Sequence, residues 1–213
     1  MRRKMKSIEA GARADSMLYV SIILISSFIL IAVLTNPVYS GIAVDDRAIE
    51  IEGKINDGGT WVDFKLSDNY NTNWTSENDV VGTWYMVEFM DINCGHCKSA
   101  ASDITSLSND WMNNQDIAKG DSVEFLAVSI NLGMKGDDYT PANIVNFRNQ
   151  YEHQFAYFDD LDNSVRDDWD IPGTPTYFLI APNGVINYAS PDAIAGETVW
   201  DAMDRILTPN TGE

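Results

Sequence analysis

Cysteine is scarce in this sequence, two among 213 residues, and only two histidines accompany them. Two cysteines are too few for a disulfide scaffold. A structural zinc site wants four Cys or His ligands, and only His153 lies outside one short motif, so carboxylates would have to complete the set. Basic residues are few as well, 14 Lys and Arg against 32 Asp and Glu, for a formal charge of -18. That balance argues against nucleic acid as a partner, because phosphates need clustered Lys and Arg. No internal repeat or low-complexity tract is present. The runs Asp159-Asp160-Leu161-Asp162 and Asp167-Asp168-Trp169-Asp170 lack EF-hand spacing and read as solvated faces. Disorder throughout is excluded by 45% hydrophobic and 11% aromatic residues, enough for a core.

What is present is distributed unevenly. Residues 1–16 hold five bases (Arg2, Arg3, Lys4, Lys6, Arg13) and two acids, whereas the remainder is strongly acidic. Met17 to Leu34 carries no charge. As a helix it would span about 27 Å, close to the hydrocarbon thickness of a bilayer. The basic tail before it keeps the N-terminus in the cytoplasm and sends the acidic body across. The run is longer than the apolar region of a cleaved signal peptide, so the expectation is an uncleaved signal-anchor. Val38-Tyr39-Ser40 before Gly41 is a tolerable cleavage site, and cutting at Ser40–Gly41 would release the same body as a secreted protein. The expected organisation is a cytoplasmic tail (1–16), a transmembrane segment (17–34), a linker (35–47) and an extracytoplasmic domain (48–213).

The body alternates strand and helix patterns. Strands are expected at Ala48–Ile55, Trp61–Leu66, Thr83–Met90, Ser122–Ile130, Phe155–Phe158, Thr176–Ala181 and Val185–Ala189. The last two flank Pro182-Asn183-Gly184 and form an antiparallel hairpin. Helices are expected at about Gly95–Asn113, Pro141–Glu152, Asn163–Trp169 and Gly196–Leu207. The pattern implies an α/β fold, a sheet with helices on both faces.

Both cysteines fall in Cys94-Gly95-His96-Cys97, where a strand gives way to a helix. The free N–H groups and dipole of a helix N-terminus favour an anion, so Cys94 in the first turn would have a stabilised thiolate. Cys97, one turn inward, is near enough for a disulfide, and a protonated His96 would further favour the thiolate. Such a small loop gains little from a purely structural disulfide, about 2 kcal/mol. The expectation is a redox-active dithiol needing no other cofactor. Glu88 lies six residues earlier in an apolar strand, on one face with Met86 and Met90. A buried carboxylate has a raised pKa and can accept the Cys97 proton; the alternative is an edge-strand Glu facing solvent. Ile171-Pro172-Gly173-Thr174-Pro175-Thr176 precedes a core strand and suits a tight turn, for which trans is the ordinary X–Pro isomer.

Val87-Glu88-Phe89 followed by Cys94-Gly95-His96-Cys97-Lys98 resembles the active-site segment of thioredoxin-fold oxidoreductases. The Glu-Phe and Gly-His pairs are most similar to protein disulfide isomerase domains. Trp169 to Ile180, with Pro182-Asn183-Gly184-Val185-Ile186, resembles the family's cis-proline strand and hairpin. The layout is similar to membrane-anchored TlpA/ResA-type thioredoxins, over about residues 60–207. The resemblance implies a thioredoxin-like fold, a central mixed sheet flanked by helices, with extra N-terminal strands. It implies Cys94 as attacking thiolate, Cys97 as resolving thiol, Glu88 as buried acid and Pro175 as a cis-proline facing the disulfide. Gly95, His96 and the Thr174 backbone would meet the substrate chain. Protein thiols and disulfides would be the substrates, with a membrane or extracytoplasmic electron donor. Two departures stand out: Asn93 where the family usually has Trp, and Ser102 where it often has Pro. The alternative function is a tethered thioredoxin-like binding or metal-handling module that assists copper or cytochrome assembly. Peroxide reduction is disfavoured, because no peroxidatic-type cysteine lies outside the motif.

Overall fold

The computed structural model describes residues 17, 19–27, 40–113, 115–134, 139–193 and 196–208. It separates into two units, Met1–Val38 and Tyr39–Glu213. In the first unit residues 19–27 are helical. The tail and much of the expected transmembrane segment and linker lie outside the described residues, and no helix among the described residues is long and apolar enough to cross a membrane.

The second unit carries the chemistry. Its strands are β1 (Ser40–Gly41), β2 (Arg47–Ala48), β3 (Glu52–Asn56), β4 (Val62–Lys65), β5 (Thr83–Met90), β6 (Ser122–Ile130), β7 (Ala156–Asp160), β8 (Thr176–Ile180) and β9 (Ile186–Ala189). Its helices, numbered within this unit, are α1 (Gly95–Asn113), α2 (Pro141–Gln150), α3 (Ser164–Asp168) and α4 (Val199–Leu207). Seven strands form one mixed sheet in the order β4-β3-β7-β6-β5-β8-β9, and β1 and β2 pair separately. β5, β6 and β7 run parallel, and β8 is antiparallel to β5.

The apolar β5 and β6 run through the middle of the sheet, and alternate residues serve two cores. Met86, Met90, Phe125 and Ala127 face one core with Ala101, Ile104 and Trp111 of α1, Phe147 of α2 and Met203 of α4. Val87, Phe89, Leu126 and Val128 face the other with Val165 of α3, Trp169, Ile51 and Leu66. Ser108 completes the buried stripe of α1 between Ile104 and Trp111.

Local chemistry sets the helix starts. Thr140 accepts the Asn143 N–H ahead of Pro141 at the opening of α2. Thr198 and Asp201 form a reciprocal capping box on α4, which begins at Val199 rather than Gly196. Asp160 caps α3 by accepting the Val165 and Arg166 N–H groups at 2.9 and 2.8 Å. It is fully buried, which corrects the solvated reading of its run at this residue. The expected strand Ala48–Ile55 is broken, because Ile51 turns into the core between β2 and β3 and takes the Leu66 N–H on its carbonyl.

Candidate active site

β5 ends at Met90 and α1 begins at Gly95, so the motif sits at a strand-to-helix junction beyond the C-terminal end of a central strand. The connecting turn is held by Asp91, which is fully buried. Its carbonyl accepts the Cys94 N–H at 3.0 Å, and its carboxylate accepts the N–H groups of Asn93 (2.7 Å) and Leu132 (2.8 Å) and the Tyr139 hydroxyl (2.9 Å). Nothing in the sequence marked this aspartate apart from its place three residues before Cys94.

Cys94 is the cap of α1 rather than a first-turn residue, for its carbonyl takes the first helical bond, from Lys98 N–H, at 3.0 Å. At a cap, a side-chain acceptor faces the N–H groups two and three residues on. Those belong to His96 and Cys97, and the Cys94 sulfur takes the place usually held by a Ser or Asp oxygen. As a thiol, Cys94 donates to the Thr174 carbonyl at 3.6 Å. The Thr174 hydroxyl is buried without a partner among the described residues, a donor available to a thiolate. Burial opposes ionisation of Cys94. The Thr174 hydroxyl, the Cys97 N–H and S–H and the His96 N–H outweigh it and lower the pKa below that of an ordinary thiol.

Cys97 behaves in the opposite sense. Both cysteines are free thiols here. Burial pushes the Cys97 pKa up to about 12, with negative charge on Glu88 and Cys94 adding to the rise. Glu88 is 3% exposed, in the central strand β5 and not at an edge. Burial raises it to about 8; the Tyr177 hydroxyl, which donates to Oε1 at 3.4 Å, pulls the other way, and Cys94 adds to the rise.

Gly173, Thr174 and Pro175 bring a third segment to the sulfurs, and the Thr174–Pro175 bond is cis. Pro175 is half-buried. Gly95 and His96 are exposed, and a Cβ at Gly95 would meet nothing within 4 Å, so this side of the motif is open to a partner chain. Lys98 is exposed beside them. The structure thus assembles Cys94, Cys97, Glu88, Thr174 and Pro175 at one place, with Gly95 and His96 on its outer rim. The sequence reading missed Tyr177, whose contact with Glu88 depends on the pairing of β5 with β8. No group of three or more His, Cys, Asp or Glu suited to a metal ion occurs among the described residues.

A mixed sheet flanked by helices, with a Cys-x-x-Cys pair capping a helix opposite a cis-proline loop, defines a thioredoxin-like protein. The AhpC/TSA family profile matches residues 58–189, more than half of the chain, and the chain belongs to that family. No curated protein matches it. Among solved structures, a hypothetical protein from Sinorhizobium meliloti 1021 is similar at 19% identity and a TM-score of 0.54, over 78% of this chain and 82% of that one. An uncharacterized conserved protein from Geobacillus kaustophilus is similar at 15% identity and a TM-score of 0.51, over 76% and 74%. Both likenesses concern the fold. A secreted disulfide oxidoreductase of Mycobacterium tuberculosis homologous to E. coli DsbE shares 14% identity at a TM-score of 0.39, over 48% of this chain, which spans 65% of that one.

Proposed function

We propose that this protein is a thiol–disulfide oxidoreductase that exchanges disulfides with other proteins through Cys94 and Cys97, outside the cytoplasm, tethered by its N-terminal apolar segment. The observation that carries the reading is the asymmetric placement of the two sulfurs: Cys94 caps α1 and faces the Thr174 carbonyl at 3.6 Å, whereas Cys97 and Glu88 are buried in the core. This arrangement lowers the pKa of the first thiol and raises that of the second. A structural disulfide or an accidental pair has no need of such asymmetry, whereas exchange requires one nucleophilic thiolate and one thiol held in reserve.

In the reducing direction the Cys94 thiolate attacks a substrate disulfide. A bond forms between Cys94 and one substrate sulfur, and the other leaves as a thiolate. Cys94 then carries no charge. That charge raises both Glu88 and Cys97, so its loss lowers both: Glu88 ionises more readily, which is the form that can accept a proton, and Cys97 gives its proton up more readily. The Cys97 sulfur attacks Cys94, the substrate's second sulfur leaves, and the pair is oxidised by two electrons as the substrate gains two. The reverse sequence oxidises a substrate, and the potential of the partners sets the direction. Thr174, Pro175, Gly95 and His96 form the surface against which the substrate chain lies. The redox group is the cysteine pair itself, and protein dithiols or a membrane or extracytoplasmic donor return it to its starting state.

Turnover of a model protein disulfide by the full chain tests the activity; a Cys94→Ser variant should have none, and retention of full activity would overturn the reading. Location is tested by labelling Cys94 in intact cells with a membrane-impermeant maleimide. Labelling before lysis is expected, and labelling only after lysis would overturn the extracytoplasmic placement.

A further inference from the structure

Strand register places Tyr177 of β8, Glu88 of β5, Ala127 of β6 and Tyr157 of β7 in one row across the sheet. Directly paired residues share a face, and this face lies under α1, with Met86 and Ala127 in its core. Glu88 is therefore flanked by a tyrosine on one side and, beyond the small Ala127, by a second tyrosine on the other.

The two ends of the row differ. Tyr157 is fully buried, with its hydroxyl 2.6 Å from His153 Nδ1. His153 Nε2 lies 2.9 Å from the Ala101 carbonyl. A carbonyl only accepts, so Nε2 carries the proton, and Nδ1 of the neutral ring accepts from the Tyr157 hydroxyl. His153 is 2% exposed, and burial, together with the nearby Arg148 charge, holds its pKa down. This end is closed, because each proton is committed and the last member is buried. Tyr177 is only half-buried and lines a surface groove between α1 and α4 with Ala100, Asp103, Ile104, Leu107 and Trp200. Its hydroxyl is the hydrogen-bond partner of Glu88.

We infer that Tyr177 is the positioning residue through which Glu88 exchanges its proton with solvent, by way of the groove between α1 and α4. The inference rests on the proposed role of Glu88 as acceptor of the Cys97 proton. As the Glu88 O–H bond breaks, its proton passes to the Tyr177 oxygen while the proton already on Tyr177 leaves to solvent in the groove. Both groups are restored and no electrons move. The ionisable groups around this path are Cys94 at the cap of α1 and Cys97 within it, Asp103 from α1 at the groove, Tyr177 from β8, Tyr188 from β9 beside it and Tyr157 from β7. Arg148 from α2 stands at the closed end.

The test uses the reduced full chain and the chromogenic disulfide dithiobis(nitrobenzoate). The first thiolate released reports attack by Cys94, and the second reports resolution by Cys97. Tyr177→Phe should leave the first phase unchanged, slow the second about tenfold and move its pH midpoint up by roughly one unit, since a hydrogen bond favouring the carboxylate is lost. A second phase unchanged in rate and midpoint would overturn the inference. Glu88→Gln separates the two readings. If it leaves the second phase intact, the role of Glu88 fails and the inference with it. If it slows that phase while Tyr177→Phe does not, only the exit through Tyr177 fails. The double variant should be no slower than Glu88→Gln alone, and additive losses would overturn the inference.

Discussion

The Cys94 sulfur and the Thr174 carbonyl oxygen lie 3.6 Å apart, joining the helix cap to the residue before Pro175 across 80 positions of chain. The same residue offers its buried, unpartnered hydroxyl to the thiolate. Burial raises the Cys94 pKa, and the Thr174 hydroxyl is the largest of the effects that reverse it. Thr174→Val keeps the shape and removes the donor. The pH midpoint for alkylation of Cys94 by iodoacetamide should rise by roughly half to one unit. An unmoved midpoint would mean that the helix N–H groups alone hold the thiolate.

The asymmetry of the pair predicts different fates for its two serine variants. Cys97→Ser should accumulate a covalent mixed disulfide between Cys94 and substrate, seen as a shifted band on a non-reducing gel. Cys94→Ser should accumulate none, because the Cys97 pKa of about 12 leaves almost no thiolate at neutral pH. Equal trapping by both would remove the assignment of attacker and resolver.

Glu88 links pH to stability. Burial is the main cause of its pKa of about 8, with the Tyr177 hydrogen bond opposing and Cys94 adding. Between about pH 4.5, where the unfolded chain releases this proton, and about pH 8, the folded state holds more protons than the unfolded state. Stability contributed by the group is therefore complete below that window and falls as pH rises through it, by at most about 1.4 kcal/mol per pH unit. Glu88→Gln removes the titration, so the gap in melting temperature, variant above parent, should widen from pH 5 to pH 8. A constant gap would show that Glu88 does not titrate in this range.

Asp121 is a buried carboxylate that serves the fold and not the chemistry. Asp121 accepts from the indole N–H groups of Trp74 and Trp84, each at 3.1 Å, and from the Gly82 N–H at 2.8 Å. Asp121→Ala orphans three donors near the start of β5 and should cost about 3 kcal/mol, read from chemical denaturation. Because the cysteines follow the opposite end of β5, alkylation of Cys94 at low temperature should be unchanged.

Legibility in the sequence followed local pattern. The ends of β5, α1 and β6 could be read because long apolar runs and a 3.6-residue stripe mark them, and Glu88 could be placed in a core because it interrupts such a run. Contacts set by strand register could not be read. Tyr177 meets Glu88 only through the pairing of β5 with β8, and β8 itself slips against β9 between Leu179 and Ile180. Asp91, Asp121 and Asp160 were hidden for another reason. In a chain with 32 acidic residues, a buried aspartate that ties down a turn looks like one more surface charge until its N–H donors are seen.

The central claim is that Cys94 and Cys97 form one reversible redox couple. Equilibration of the full chain with buffers of varied glutathione ratio, followed by alkylation and mass measurement, tests it most directly. The account predicts a single two-electron transition between a dithiol and a Cys94–Cys97 disulfide, absent from either serine variant. Two cysteines that remain thiols across the whole series, or that oxidise independently of each other, would contradict it.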